Sequence, residues 1–184
     1  MDESEPKRTY RAVNHLKKKE GGNVIMTKEI EDLLQTFEEW ALFVKTMNHL
    51  EEKTWNSSLE EGKWTIKSIV SHIMLWDRYF YKEAIEKIAL KQEVTLKHIN
   101  FEEFNRKAIE YGNRTETSEI VNKAITYRHK IMNDIRGLSE EQLHQTYLDA
   151  KGNVFYIPQY LKDFIWHDQH HMQPLKKYLS NLEA

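Results

Sequence analysis

The chain has nine histidines and no cysteine, so its chemistry rests on imidazoles rather than thiolates. Three histidines, His167, His170 and His171, crowd into Ile157-Pro-Gln-Tyr-Leu-Lys-Asp-Phe-Ile-Trp-His-Asp-Gln-His-His-Met-Gln-Pro-Leu-Lys-Lys-Tyr-Leu179. Apolar residues recur there at helical spacing, and Pro158 is tolerated in a first turn. His167 and His171 are four apart, which puts their rings on one face with Cβ atoms about 5–6 Å apart. One metal ion can bridge that gap, since imidazole nitrogens bind zinc at about 2.0–2.1 Å. The pair shares its face with Tyr160, Phe164 and Tyr178, at the edge of the apolar side, and so points inward. A lone His-x-x-x-His also arises from chance or core packing, so a site needs a third donor. His72, in Lys63-Trp-Thr-Ile-Lys-Ser-Ile-Val-Ser-His-Ile-Met-Leu-Trp-Asp77, is the candidate. Pairing of His167 with His170 is the main alternative.

Three neutral imidazoles would leave a divalent ion its full charge and one open position, as in catalytic zinc sites. A water bound there would have a lowered pKa, and a substrate thiol would ionise for the same reason. Imidazole suits zinc, nickel, copper and iron; zinc or nickel is the expectation. Asp163, one turn before His167, is expected to hold that ring. His170 lies about 100° from His171 and is expected as a gate, a supporting group or a solvated residue. Tyr160 and Tyr178 either line the pocket or pack in the core. Asp77 sits about 140° around its helix from His72, so it is read as a buried carboxylate paired to a hydroxyl or cation on a neighbouring helix. His98 reads as a surface residue, and His129 as a solvated or satisfied histidine rather than an inward-pointing one.

The elements that must position these residues are helices. Thr27 is expected to cap a helix running to about Glu51, with Ile30, Leu33, Leu34, Phe37, Trp40, Ala41, Val44 and Met47 as its apolar stripe. Thr65 caps a second, to about Leu90, with Ile66, Ile69, Val70, Ile73, Phe80, Ala84 and Ile88 inside. Phe101, Phe104, Ala108 and Tyr111 mark a short helix across the bundle. A third long helix spans about Ser118 to Arg136, with Ile120, Val121, Ala124, Ile125, Tyr127, Ile131 and Ile135 inside. Ser139-Glu-Glu-Gln142 has the form of a capping box. A loop over 146–156 with a Gly-Asn turn leads into the last helix, which Pro174 bends or ends early. The sum is an all-α four-helix bundle with short accessory helices, a fold whose core builds metal sites from facing helices.

Composition closes off other classes. Lys and Arg number 27 against 29 Asp and Glu, so there is no basic surplus to grip nucleic acid. No apolar run approaches the length of a membrane span. The charged N-terminus lacks the apolar core of an export signal, which makes the cytoplasm the expected compartment. Residues 1–25 read as a flexible extension ahead of a domain over 26–184. Lys19-Glu-Gly-Gly22 can be encoded by a stretch like a bacterial ribosome-binding site, so Met26 is an expected start of translation.

Trp64-Thr-Ile-Lys-Ser-Ile-Val-Ser-His72, followed by Trp166-His-Asp-Gln-His-His171, resembles the DinB/YfiT-like superfamily. That family opens its second helix with Trp-Ser/Thr, places a histidine seven or eight residues later, and carries His-x-x-His-His in its last helix. The resemblance covers about residues 27–180. It implies an up-down-down-up bundle, a divalent metal on His72, His167 and His171, and often a homodimer. Some relatives transfer a low-molecular-weight thiol such as bacillithiol or mycothiol. The leading expectation is therefore a metal-dependent enzyme that activates such a thiol for S-transfer to an electrophilic small-molecule substrate. The alternatives are a metal-dependent hydrolase using metal-bound water, and a non-catalytic metal-binding or structural bundle.

Overall fold

The computed structural model describes residues 27–149 and 151–182; the expected N-terminal extension and the Met26 start lie outside them. Four long helices carry the architecture. Helix α1 spans Lys28–Thr46 and ends in a 3-10 turn, Met47–His49, before the one-turn α2, Glu52–Trp55. The first helix is therefore shorter than its apolar stripe suggests, because Met47 is buried from the 3-10 turn. Thr27 does not cap α1 with its side chain. Its carbonyl instead takes the amides of Ile30 and Glu31 at 3.0 and 3.2 Å.

Helix α3, Ile66–Phe80, runs through a π-helical turn, Tyr81–Ile85, into α4, Glu86–Ala89. Thr65 caps α3 as expected, its Oγ1 accepting from the Ser68 amide at 3.1 Å. The crossing helix α5 covers Phe101–Arg114, capped by Asn100. Helix α6 is Thr117–Arg136, and α7, Glu140–His144, begins in the expected capping box of Ser139 and Gln142. The segment read as a loop holds a small hairpin, β1 Tyr147–Leu148 against β2 Val154–Phe155. Asp149 braces its turn, accepting from the backbone amides of Lys151 and Asn153 and from the Asn153 side chain, with Gly152 at φ 78°. Helix α8, Ile157–Leu182, continues through Pro174 rather than ending near it.

Two apolar clusters fix the helix directions. One holds Ile30, Leu34 and Phe37, then Phe80 and Ile88, then Ile131 and Ile135, then Ile157, Leu161 and Phe164. The other holds Val44 and Met47, then Ile66 and Val70, then Ile120 and Ala124, then Met172 and Leu175. Along the chain α1 passes from the first cluster to the second, α3 and α6 pass back, and α8 passes forward again. The order is up-down-down-up. Two successive helices in one direction need a long return, and the segment containing α5 supplies it.

Where the two clusters meet, Arg128 of α6 is wholly buried. It donates to both carboxylate oxygens of Asp77 on α3 at 2.9 and 3.1 Å, and to Asp168 on α8. It also donates to the Phe37 carbonyl on α1 at 2.8 Å and lies 3.7 Å over the Phe37 ring. One guanidinium thus links all four long helices. Asp77 has the paired, buried role expected of it; its cation was hidden among the apolar residues of α6. Among the described residues, no helix is long and apolar enough to cross a membrane.

Candidate metal centre

Helix α3 delivers His72 two turns after its Thr65 cap, on a fully buried flank. Helix α8 delivers His167 and His171 one turn apart. The three meet: one nitrogen from each lies within 4.8 Å of the other two. The Nε2 atoms of His72 and His167 are 3.0 Å apart. Three donors around a tetrahedral zinc would stand about 3.3 Å from one another. The cluster therefore fits a single ion with small ring rotations.

A second observation supports that fit. The Nδ1 atoms of His72 and His167 are buried and make no hydrogen bond among the described residues, although buried ring nitrogens normally find partners. A contact between two Nε2 atoms can be satisfied by only one shared proton, which leaves both rings poorly paired. An ion accepting both Nε2 lone pairs resolves that Nε2–Nε2 contact and leaves each Nδ1 carrying its proton as a donor. Electrostatics point the same way. Burial, then the neighbouring His171, pushes His72 well below an ordinary imidazole. Burial and the surrounding imidazoles do the same to His167, and burial with His170 nearby brings His171 down to about 4. All three are neutral donors at pH 7.

The remaining expected residues divide. Asp163 accepts from Gln159 Nε2 at 2.8 Å and does not hold the His167 ring, whose Nδ1 is unpaired. The one-turn spacing is right, but the Asp163 carboxylate takes the Gln159 amide one turn before it on α8. His170 is exposed and stacks on Trp166, with ring centroids 5.6 Å apart, so the His167–His170 pairing is not formed. Tyr160 packs among Phe37, Phe80, Phe155 and Phe164, which is its core-packing reading. Tyr178 is half-buried against the second apolar cluster. His98 and His129 are exposed.

Two further residues stand beside the cluster, Trp64 of the helix-opening motif and Asn105, which has no counterpart in the sequence reading. Trp64 lies nearly parallel to His171, 6.2 Å between centroids, and edge-on to His72 at 5.1 Å. It forms an aromatic wall over two of the three rings. Asn105, from α5, is buried and interacts with His72 in the sense that favours the protonated ring. Its signal lay in being the one amide on the apolar face of α5. Asp168, next in sequence to His167, belongs to the Arg128 layer and is not a donor of the cluster.

Comparison with known proteins gives a consistent picture. The sequence profile of the DinB superfamily matches residues 35–174. A protein of Oceanobacillus iheyensis named "Putative metal-dependent hydrolase OB0413" is 25% identical over 138 residues, 74% of this chain and 77% of its own length. The structure of YfiT from Bacillus subtilis, described as a probable metal-dependent hydrolase with an unusual four-helix bundle topology, superposes with a TM-score of 0.68 at 14% identity. The superposition covers 89% of this chain and 94% of YfiT. A mycothiol-dependent maleylpyruvate isomerase superposes with a TM-score of 0.60 at 16% identity, over 79% of this chain and 62% of the isomerase. At these identities the two structures report a shared fold.

Proposed function

The chain belongs to the DinB superfamily, and from that premise we propose that it is a metal-dependent enzyme in which His72, His167 and His171 hold one divalent ion, zinc or nickel, and activate a low-molecular-weight thiol for transfer to an electrophile. The observation that carries the reading is the convergence of three neutral imidazoles, one buried and two partly buried, with no carboxylate among them. When bound, such an ion supplies Lewis acidity that lowers the pKa of a thiol or water beside it. The three histidines supply donors and no charge, so that acidity is undiminished. Trp64 shields His72 and His171 from water, which strengthens electrostatics at the site. Arg128 keeps the Asp168 carboxylate engaged, so the acid beside His167 neither joins the donors nor serves as a base.

That last point favours a thiol over water. A thiol of ordinary pKa about 8.5 ionises with modest help. Among the described residues, no carboxylate joins the histidine cluster to take a proton from water. In the transfer, the thiolate sulfur forms a bond to an electrophilic carbon. The leaving group, such as chloride, departs with the electron pair, and the thiol proton goes to solvent. The second reading, a hydrolase with water as nucleophile, draws on the names of the hydrolase-like relatives.

Elemental analysis of the purified protein and of three alanine variants is the first test. His72→Ala and His171→Ala should each fall to on the order of a tenth of the wild-type metal content, while His170→Ala retains it. Equal losses in all three would defeat this ligand set. Turnover of bacillithiol with a chlorinated aromatic, against an ester and amide panel, then separates transferase from hydrolase. Metal content without turnover on either panel would leave a binding or structural role.

A further inference from the structure

Buried polar atoms without partners are uncommon, and two of them belong to residues that interact here. His72 Nδ1 and Asn105 Oδ1 are each buried with no hydrogen bond among the described residues. The packing of α5 on α3 explains why they lie together. Gly112 of α5 sits so close to α3 that a Cβ there would stand 2.8 Å from Ser71 Oγ. Two turns earlier, the Phe104 ring lies 4.0 Å from that of Trp76, and Trp76 is edge-on to His72 at 6.4 Å. The two helices therefore run antiparallel, with Asn105, Ala108 and Gly112 as the buried positions of α5. Asn105 is the polar one of the three, at the level of His72 and Trp76.

The chemistry of the two atoms is complementary once His72 gives its Nε2 lone pair to an ion. The ring then carries its proton on Nδ1, a donor in need of an acceptor, and an amide oxygen is an acceptor. We propose that Asn105 is the positioning residue of the centre: its Oδ1 accepts from His72 Nδ1–H, fixing the tautomer and ring angle that present Nε2 to the metal. This rests on the three-histidine reading. It adds a residue from a helix outside the four-helix core. It also gives α5 a purpose beyond bridging α3 and α6, since α5 carries the group that aims the one ligand not on α8.

The test uses Zn²⁺ and the full chain. Zinc affinity is measured by competition with a chromophoric chelator for wild type, Asn105→Leu and Asn105→Asp. Leucine keeps the volume and removes the acceptor, so affinity should fall about 10- to 100-fold. Aspartate restores an acceptor and should recover affinity to within a few-fold of wild type. Long-range ¹H–¹⁵N correlation of the zinc-loaded wild type should show His72 protonated on Nδ1. Leucine binding as tightly as asparagine, a folded aspartate variant that fails to recover, or His72 protonated on Nε2 would each overturn the inference. A wild-type spectrum with the proton on Nε2 overturns the inference even where a variant does not fold. A wild type that binds no zinc would instead overturn the metal reading itself, an outcome distinct from the others.

Discussion

A histidine held neutral by burial leaves a mark on folding as well as on metal binding. His171 has its pKa brought down to about 4, and His72 and His167 are lowered for the same reason. An unfolded imidazole titrates near about 6.5. Below that value the unfolded chain binds more protons than the native one, so acidification favours unfolding. The metal-free protein should lose stability as pH falls from about 6.5 toward 4. Asp77 acts with the opposite sign. Burial raises it to about 7, so its native state gains protons first and its contribution is lost as pH rises. The two slopes separate by mutation. In His171→Gln the acid-side decline should be shallower than in wild type, read from urea midpoints at a series of pH values. Parallel declines would mean that His171 does not titrate as a buried base.

At the scale of elements, α3 is the helix whose environment differs most from its sequence. Its expected stripe of Ile66, Ile69, Val70, Ile73 and Phe80 is buried, but so are Lys67, Ser68, Ser71 and His72. Helix α5 covers that second face, and Gly112 permits the close approach. An alanine at 112 improves helix propensity by about 0.5–1 kcal/mol, yet its methyl meets the Ser71 hydroxyl. Ser71 is fully buried and its hydroxyl has little room to turn. Gly112→Ala should therefore destabilise by about 1 kcal/mol, the low end of overpacking costs. Adding Ser71→Ala should return the double variant to wild-type stability or above, because both the clash and an unpaired buried hydroxyl are removed. Chemical denaturation of the four proteins in the cycle measures this; additive effects would show that the two positions do not touch.

At the scale of the molecule, the Arg128 layer is the junction on which the bundle closes. It places one cation between two buried carboxylates, each pushed up by burial and pulled down by the guanidinium. Taking away the cation leaves two acids with no countercharge. Arg128→Met should cost about 3–5 kcal/mol, measured by denaturant unfolding. Converting all three members to apolar residues of similar size should recover most of that loss, since a buried ionic group is seldom more stabilising than a packed apolar one. A small effect of Arg128→Met would mean that water reaches the layer. The layer also touches the metal centre, because Asp168 follows His167 directly. Its packing sets the rotation of α8 and so the direction in which His167 and His171 face.

Helix periodicity was legible because apolar residues at three and four spacing have one way to hide from water. The four long helices, the Thr65 cap and the capping box at Ser139 follow from that local physics. So does the facing of His167 and His171, since residues four apart share a helical face whatever surrounds them. Their meeting with His72, which is 95 residues from His167, does not follow from local physics. Neither does the burial of Arg128, a residue whose charge reads as solvated until two acids from other helices enclose it. Asp163 stands at the expected spacing, but which donor its carboxylate takes depends on the side chains around it, here Gln159. Asn105 went unnoticed because its meaning depends on the helix it packs against. The chain alone fixed which faces are apolar. The way those faces close on one another decided which polar groups lie inside and what they touch.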